Sequence, residues 1–223
     1  MTFKKSSVFR ATRSGFDEEK QRELNQYHKS TSGRRSVRKS VQLPEGEILN
    51  EWLAYNTVDF YNQINMIFGT LSDYCTDETC PMMTAGKKYE YYWSEIREEK
   101  KIYLKLSAPQ YIQKLMDWTQ ALLDDPKIFS PKSEIPFPKN FLEILKDIYK
   151  RLFRVYTHIF YHHYHLITTL GFDQAFNGSF KRFLFFVLEF NLITKTEMKP
   201  LSQLIESLSS RSKKKKHSQK KKN

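Results

Sequence analysis

Val155-Tyr-Thr-His158-Ile-Phe-Tyr-His162-His163-Tyr-His165 holds four of the six histidines in a chain of 223 residues. The only two cysteines also stand together, as Cys75-Thr-Asp-Glu-Thr-Cys80. Two thiols plus a histidine cluster form the donor set of a Cys₂His₂ zinc site, a filled tetrahedron with no position left for water. The pattern therefore predicts a metal that fastens a loop to a helix, with function on the surfaces held in place. Cys-x₄-Cys lies within the spacing of structural zinc sites. His158 and His162 are four apart and share a helical face. His158 and His163 also have an accepted ligand spacing, but in a regular α-helix they diverge by roughly 140°. That second pair reaches one ion only if the helix is distorted or the side chains converge, so periodicity leaves both pairs open. A zinc hydrolase using one Cys, two His and Glu78 as base is the catalytic alternative; no H-E-x-x-H or comparable base-bearing motif supports it.

The histidine window ends a helical pattern that begins at Asn140 and runs through Leu142, Leu145, Ile148, Leu152, Val155, Tyr156 and Ile159, stopping before Gly171. Asn177-Gly-Ser179 is read as opening an aromatic helix with Phe180, Phe183, Phe186, Val187 and Phe190. Lys199-Pro200 precedes a last amphipathic helix with Leu201, Leu204, Ile205 and Leu208. Upstream, order is expected from Leu43, and Leu49, Trp52, Leu53, Phe60, Ile64, Ile67 and Phe68 recur at helical spacing up to Gly69. Glu47, Glu51, Tyr55 and Asp59 fall four apart on one face of that helix. Such a face is ordinarily just solvated; otherwise it docks a basic partner helix. Ser72–Gly86 reads as a loop. Tyr89–Trp93 and Ile102–Leu106 alternate on either side of the charged segment Ser94–Lys101, which predicts a small β-hairpin. Ser107-Ala-Pro109 has the form of a helix start, followed by a buried stripe of Ile112, Leu115, Met116, Thr119 and Leu122. A loop punctuated by Pro126, Pro131, Pro136 and Pro138 closes the circuit. The fold class is all-α: a helical domain over 41–210 with one minor hairpin.

The formal net charge of +12 is unevenly spread. Residues 1–40 carry +7 and residues from Arg211 onward +8, which leaves the body near −3. The first segment reads as a flexible basic arm with a short helix around Glu18–Tyr27, and 211–223 as a disordered lysine-rich tail. A globular nucleic-acid binder would carry its positive charge on the folded face. Nucleic-acid or anionic-membrane binding is therefore expected only through the tail, whose other readings are a nuclear-import signal or a solubilising end. The longest apolar runs are too short to span a bilayer, and the start lacks the apolar core of a secretion signal. The expected location is cytoplasmic, with the nucleus as a second compartment.

Several motifs then carry a family likeness. Leu43-Pro-Glu-Gly-Glu47, Asn50-Glu-Trp52, Val58-Asp-Phe60, the Cys75/Cys80 loop, Ala85-Gly86, Tyr89-Glu-Tyr91 and Trp93 form an ordered series. It continues through Ser107-Ala-Pro109, Pro136–Phe141, Arg151-Leu-Phe-Arg154-Val-Tyr and Glu189-Phe-Asn-Leu192. Over residues 43–208 the chain closely resembles the Mob family of kinase co-activators, adaptors for NDR/LATS-type AGC kinases in Hippo and mitotic-exit signalling.

The resemblance implies a Mob-type helical bundle, a structural Zn²⁺, no enzymatic activity and no small-molecule substrate. It places the metal ligands on Cys75, Cys80, His158 and His163, leaving His162 and His165 without a role. It implies a phosphopeptide pocket at Lys150, Arg151 and Arg154 for a phosphothreonine segment of an upstream Mst-like kinase. It implies a kinase-docking surface at Glu47, Glu51 and Asp59, with Lys100, Lys101 and Arg182, for the N-terminal regulatory segment of the NDR/LATS-type kinase. Thr31 matches one of two phosphorylated threonines of the family's N-terminal arm. Four features depart from the pattern: Arg182 stands where relatives commonly carry histidine, Ser94–Lys101 is longer and more charged, Val8 or its neighbours fill the place of the second threonine, and the lysine tail is added. A phocein-like scaffold subunit of a kinase–phosphatase complex is the neighbouring alternative.

Overall fold

The computed structural model describes residues 37–130 and 135–209. Thr31, the helix expected around Glu18–Tyr27, Pro131 and the lysine tail lie outside the described residues.

Helix α1 (Val37–Ser40) leads to α2 (Leu49–Gly69), and α3 (Ala108–Asp124) follows the strands. Next come α4 (Phe141–His158), a π-helical turn (Ile159–His163), α5 (Tyr164–Thr169) and α6 (Asp173–Glu189). A 3₁₀ turn (Lys199–Leu201) continues into helical backbone over 202–209. Strands β1 (Thr84–Ala85) and β2 (Tyr89–Glu90) pair antiparallel, as do β3 (Trp93–Arg97) and β4 (Lys100–Leu104). Among the described residues no helix is long and apolar enough to cross a membrane.

The aromatic content of the sequence is spent where α2, α4 and α6 meet. Phe60 makes edge contacts with Tyr149, Phe183 and Phe186, with ring centroids 5.3–6.0 Å apart. Tyr156 meets Phe183 at 5.0 Å and Phe180 at 5.4 Å. Such pairs contribute about 0.5–1.5 kcal/mol each beyond the area they bury. Helix α3 starts as its sequence predicts: the Ser107 hydroxyl accepts from the Gln110 N–H at 3.3 Å, and proline occupies the first turn, where its missing N–H costs nothing.

Five expectations need correction. The charged segment Ser94–Lys101 is not the loop of the hairpin but most of it. Trp93 pairs with Leu104 and Arg97 with Lys100, around a tight turn at Glu98 and Glu99, both at positive φ. Positive φ at both central residues is what a type I′ connection demands, and it matches the twist of the flanking strands. Tyr89 and Glu90 instead pair with Ala85 and Thr84 as a second small sheet. Helix α6 begins at Asp173, four residues before Asn177, so Asn177-Gly178 lies inside it and opens nothing. The packed chain reaches upstream of position 41: Arg38 covers the Phe185 ring at 4.8 Å, and the Val41 carbonyl accepts from Trp52 Nε1 at 3.2 Å. On α3 Leu123 is buried, while Leu122 is only partly so. Finally, the face bearing Glu51 and Tyr55 is no solvated face, because both side chains are buried and Glu47 precedes the helix.

Candidate metal centre and the basic face beside it

The π-helical turn settles the histidine geometry. Its i→i+5 hydrogen bonding inserts one extra residue into the turn, which brings residues five apart close to one face. His158 at the end of α4 and His163 at the end of the turn thereby both face the cysteine loop. Cys75 Sγ lies 3.5 Å from His158 Nε2, and Cys80 Sγ lies 3.4 Å from His163 Nε2. All four donor atoms lie within 4.8 Å of one another, and all four residues are buried.

These distances can be tested against an ion. Bonds of about 2.3 Å to sulfur and 2.0–2.1 Å to nitrogen in a tetrahedron place S and N about 3.6 Å apart. The observed cross-pairs match that separation. The His158 tautomer fits too. Its Nδ1 lies 2.9 Å from the Thr84 carbonyl oxygen, which can only accept, so Nδ1 carries the proton and Nε2 presents its lone pair. Burial, followed by the neighbouring His162 and His163, pushes the His158 pKa down to about 3 against the opposing pull of Thr84. The ring is neutral at neutral pH, as a ligand must be. Burial and the adjacent Cys80 push the Cys75 thiol up, a tendency that a bound cation reverses by stabilising the thiolate.

Local contacts hold the cluster's two halves. In the loop, Cys75 N–H donates to Leu71 O and Cys80 N–H to Thr76 O, both at 2.9 Å. The Cys80 carbonyl accepts from Ala108 N–H at 2.9 Å, tying the loop to the start of α3. On the other side β1 reaches the π-helical turn through Gly86, at φ +65, where a Cβ would stand 2.9 Å from two carbons of the Tyr161 ring. Only glycine permits both that backbone and that approach. His162 stays outside the four. Its Nε2 lies 2.9 Å from Thr84 Oγ1, so one threonine positions both rings, by its carbonyl and by its hydroxyl. His165 is exposed, and its carbonyl accepts from the Thr168 and Thr169 hydroxyls.

One to two turns upstream on α4 stand Lys150, Arg151 and Arg154, each held differently. Lys150 Nζ meets Asp147 Oδ1 at 2.6 Å and remains about a third exposed. Arg151 is buried between two indoles, 5.1 Å from the Trp93 centroid and 4.6 Å from Trp118, and donates to the carbonyls of Asp147 and Ser94. Arg154 lies over the Tyr91 ring at 5.0 Å, donates to the Tyr111 hydroxyl at 3.1 Å, and meets Glu197 at 3.5 Å. Burial opposes the charge of Arg154, yet Tyr111 and Glu197 outweigh it and hold the pKa above the usual value. Asp147 is likewise opposed by burial, but Lys150 and Arg151 keep its pKa below the ordinary carboxylate range. Arg97 and Lys114 converge on Glu95 next to Trp93. Five cations against three carboxylates leave this connected face a net charge of +2.

The residues expected to dock a kinase are more dispersed. Asp59 and Arg182 do meet, but as an internal pair: Arg182 Nη1 is ion-paired to Asp59 Oδ2, Nη2 donates to Asn56 Oδ1 at 2.6 Å, and the guanidinium lies 4.5 Å from the Phe60 centroid. Glu47 is half-buried and Glu51 is buried. Lys100 and Lys101 are exposed on a different element, the β3–β4 hairpin. Trp93, Trp118, Tyr91, Tyr111 and Glu197, which brace the cations of α4, carry no local signal of that task, since each is distant in sequence from the charge it holds.

Fold and site together define a class: a helical scaffold in which a buried Cys/His cluster fixes the end of a helix bearing a basic face. The chain belongs to the Mob1/phocein family, whose profile matches residues 29–201. It is 49% identical over 205 residues to MOB kinase activator-like 1 homolog A of Dictyostelium discoideum, covering 92% of this chain and 96% of that one. It is 48% identical over 201 residues to MOB kinase activator-like 1B of Arabidopsis thaliana, covering 90% and 93%. It is 46% identical over 189 residues to the maintenance of ploidy protein mob1 of Schizosaccharomyces pombe, covering 83% and 88%. The resemblance drawn from the motifs is thereby borne out.

Proposed function

We propose that this chain is a non-enzymatic kinase adaptor. It binds a phosphothreonine segment of an upstream Mst-like kinase through Lys150, Arg151 and Arg154. It binds the N-terminal regulatory segment of an NDR/LATS-type kinase through the half-buried Glu47 and the exposed Lys100 and Lys101, while the buried Glu51 and the Asp59–Arg182 pair hold α2 in place behind them. Its setting is Hippo- or mitotic-exit-type signalling in the cytoplasm and nucleus. Relatives named as MOB kinase activators support the kinase partnership in general terms. The observation that carries the phosphate half is the braced basic face that α4 forms with β3, α3 and Glu197. Its net charge of +2 matches the −1.5 to −2 of a phosphothreonine. Arginines already ordered by aromatic rings and hydrogen bonds lose little freedom on binding, and their forked donors suit phosphate oxygens.

Cys75, Cys80, His158 and His163 would hold a Zn²⁺, which would supply a cross-link and no reaction. The four residues together tie the cysteine loop and β1 to the end of α4, and so keep the phosphate-reading turns still. Kinase activation follows from ordering the kinase's regulatory segment, a population shift toward its active state.

The deciding experiment titrates a fluorescent phosphothreonine peptide against wild-type protein and Lys150→Glu. Lys150 is chosen because its ammonium is the most exposed of the three cations, so the fold tolerates its reversal. The expected result is a loss of at least about tenfold in the variant, and no binding of the unphosphorylated peptide. Equal affinity in both proteins removes the pocket assignment.

A further inference from the structure

A shallow cleft of about 260 Å³ lies between the cysteine loop and the first turns of α3, lined by Asp77, Pro109, Gln110, Gln113, Lys114 and Asp117. Small-molecule sites usually enclose roughly 300–1,000 Å³, so this cleft suits one side chain better than a metabolite. Pro109 and the side-chain stems give it apolar walls, and its two acidic lining residues, Asp77 and Asp117, are exposed. Asp77 Oδ1 accepts from the Ser107 hydroxyl, and Asp117 Oδ1 accepts from Gln113 Nε2 at 2.8 Å, which fixes both groups in place. An apolar channel with two ordered carboxylates suits an aliphatic stem that ends in a cation.

The cleft adjoins the basic face. Lys114 closes one side of it, with its Nζ drawn to Glu95 at 2.9 Å and lying 5.7 Å from the Trp93 centroid. The same indole carries Arg151. On α3, Gln110 and Asp117 are each next in sequence to a residue that holds a phosphate-reading arginine: Tyr111 contacts Arg154, and Trp118 contacts Arg151. At about 100° per residue these are neighbouring faces of one helix, about 10 Å apart across its surface. An extended peptide covers that distance in about three residues. Lys114 stands between the two, with its ammonium drawn toward Glu95, a carboxylate it shares with Arg97.

We propose that this cleft is a specificity subsite for an arginine or lysine side chain of the phosphothreonine segment, about three residues from the phosphate. The inference rests on the phosphopeptide reading above. Phosphate on the basic face and a cation between Asp77 and Asp117 would together fix the direction in which the peptide lies, a use of charge that sets register more than bulk affinity.

The test is a peptide series, each with one phosphothreonine in an alanine-serine background and a single arginine walked from four residues before it to four residues after it. Each peptide is titrated by fluorescence anisotropy against wild-type protein and the Asp77→Asn/Asp117→Asn double variant. At one arginine position two to four residues from the phosphate, wild-type affinity should rise at least fivefold over the arginine-free peptide. In the double variant that ratio should fall to below twofold. Comparing ratios within each protein cancels the uniform gain in phosphate affinity expected from removing two nearby negative charges. A thermal melt identifies a variant that has lost its fold; in that case Asp117→Asn alone, which keeps the Ser107–Asp77 contact, must show the reduced ratio. A flat profile in wild-type protein, or a gain that persists in the variants, overturns the subsite while leaving the phosphate pocket standing. Failure of every phosphorylated peptide overturns the pocket and the subsite together.

Discussion

Arg182 on α6 is ion-paired to Asp59 on α2, with its guanidinium against the ring of Phe60. The pair anchors a chain of polar contacts across the bundle. Gln63 Nε2 donates to the same Asp59 oxygen at 2.8 Å, Ser179 Oγ lies 2.8 Å from Gln63 Oε1, and Tyr156 Oη lies 2.7 Å from Ser179 Oγ. Tyr156 stands two residues from both Arg154 and His158, so one hydrogen-bonded path joins α2, α6 and the helix that carries His158 of the Cys/His cluster.

Arg182→Met should therefore destabilise the protein by about 2 kcal/mol, because it leaves the partly buried Asp59 without its cation. Arg182→Met/Asp59→Leu should recover part of that loss, since removing both charges costs less than stranding one. Urea denaturation of the two variants and the wild type checks the order.

Removing the metal should loosen the cysteine loop and the π-helical turn together. Elemental analysis should find about one zinc per chain, and chelation should lower the melting temperature. Cys75→Ser should bind no zinc and should melt with the chelated protein. Chelated wild-type protein that melts at the same temperature as the untreated protein would contradict the structural role.

Asp147 gives a pH dependence of known sign. Its folded-state pKa lies below the ordinary value near 3.9, because Lys150 and Arg151 outweigh the effect of burial. The unfolded chain therefore takes up this proton first on acidification, and stability rises with pH over that range. The contribution is complete above about pH 4 and is lost as pH falls through the folded value. Asp147→Asn should flatten this limb of the stability profile below pH 4 while leaving the shape above it unchanged.

Gly86→Ala should destabilise the protein by about 2 kcal/mol, from a positive φ and from contact with the Tyr161 ring. Adding Tyr161→Ala relieves only the steric part. The double variant should thus be more stable than the two separate losses predict. A double-mutant cycle that shows strict additivity would remove the Tyr161 contact from the account.

The sequence by itself determined the donor types of the cluster, the helices α2, α3 and α4, the Ser107 start and the family. These follow from apolar periodicity, capping chemistry and motifs, all of which act over a few residues. It left open which histidines face the cysteines, because a regular helix separates His158 from His163 and one-dimensional spacing does not reveal a π-helical turn. The strand extents of the hairpin differ from the alternating runs for a related reason. Alternation marks residues able to pleat, whereas the pairing of Trp93 with Leu104 was set by the turn at Glu98 and Glu99 and by burial of Trp93. Only the tertiary structure decided that Arg151 lies between Trp93 and Trp118, and that Asp59 is already paired with Arg182. A buried charge must find its partner wherever the packed chain supplies one, and those partners lie tens of residues away.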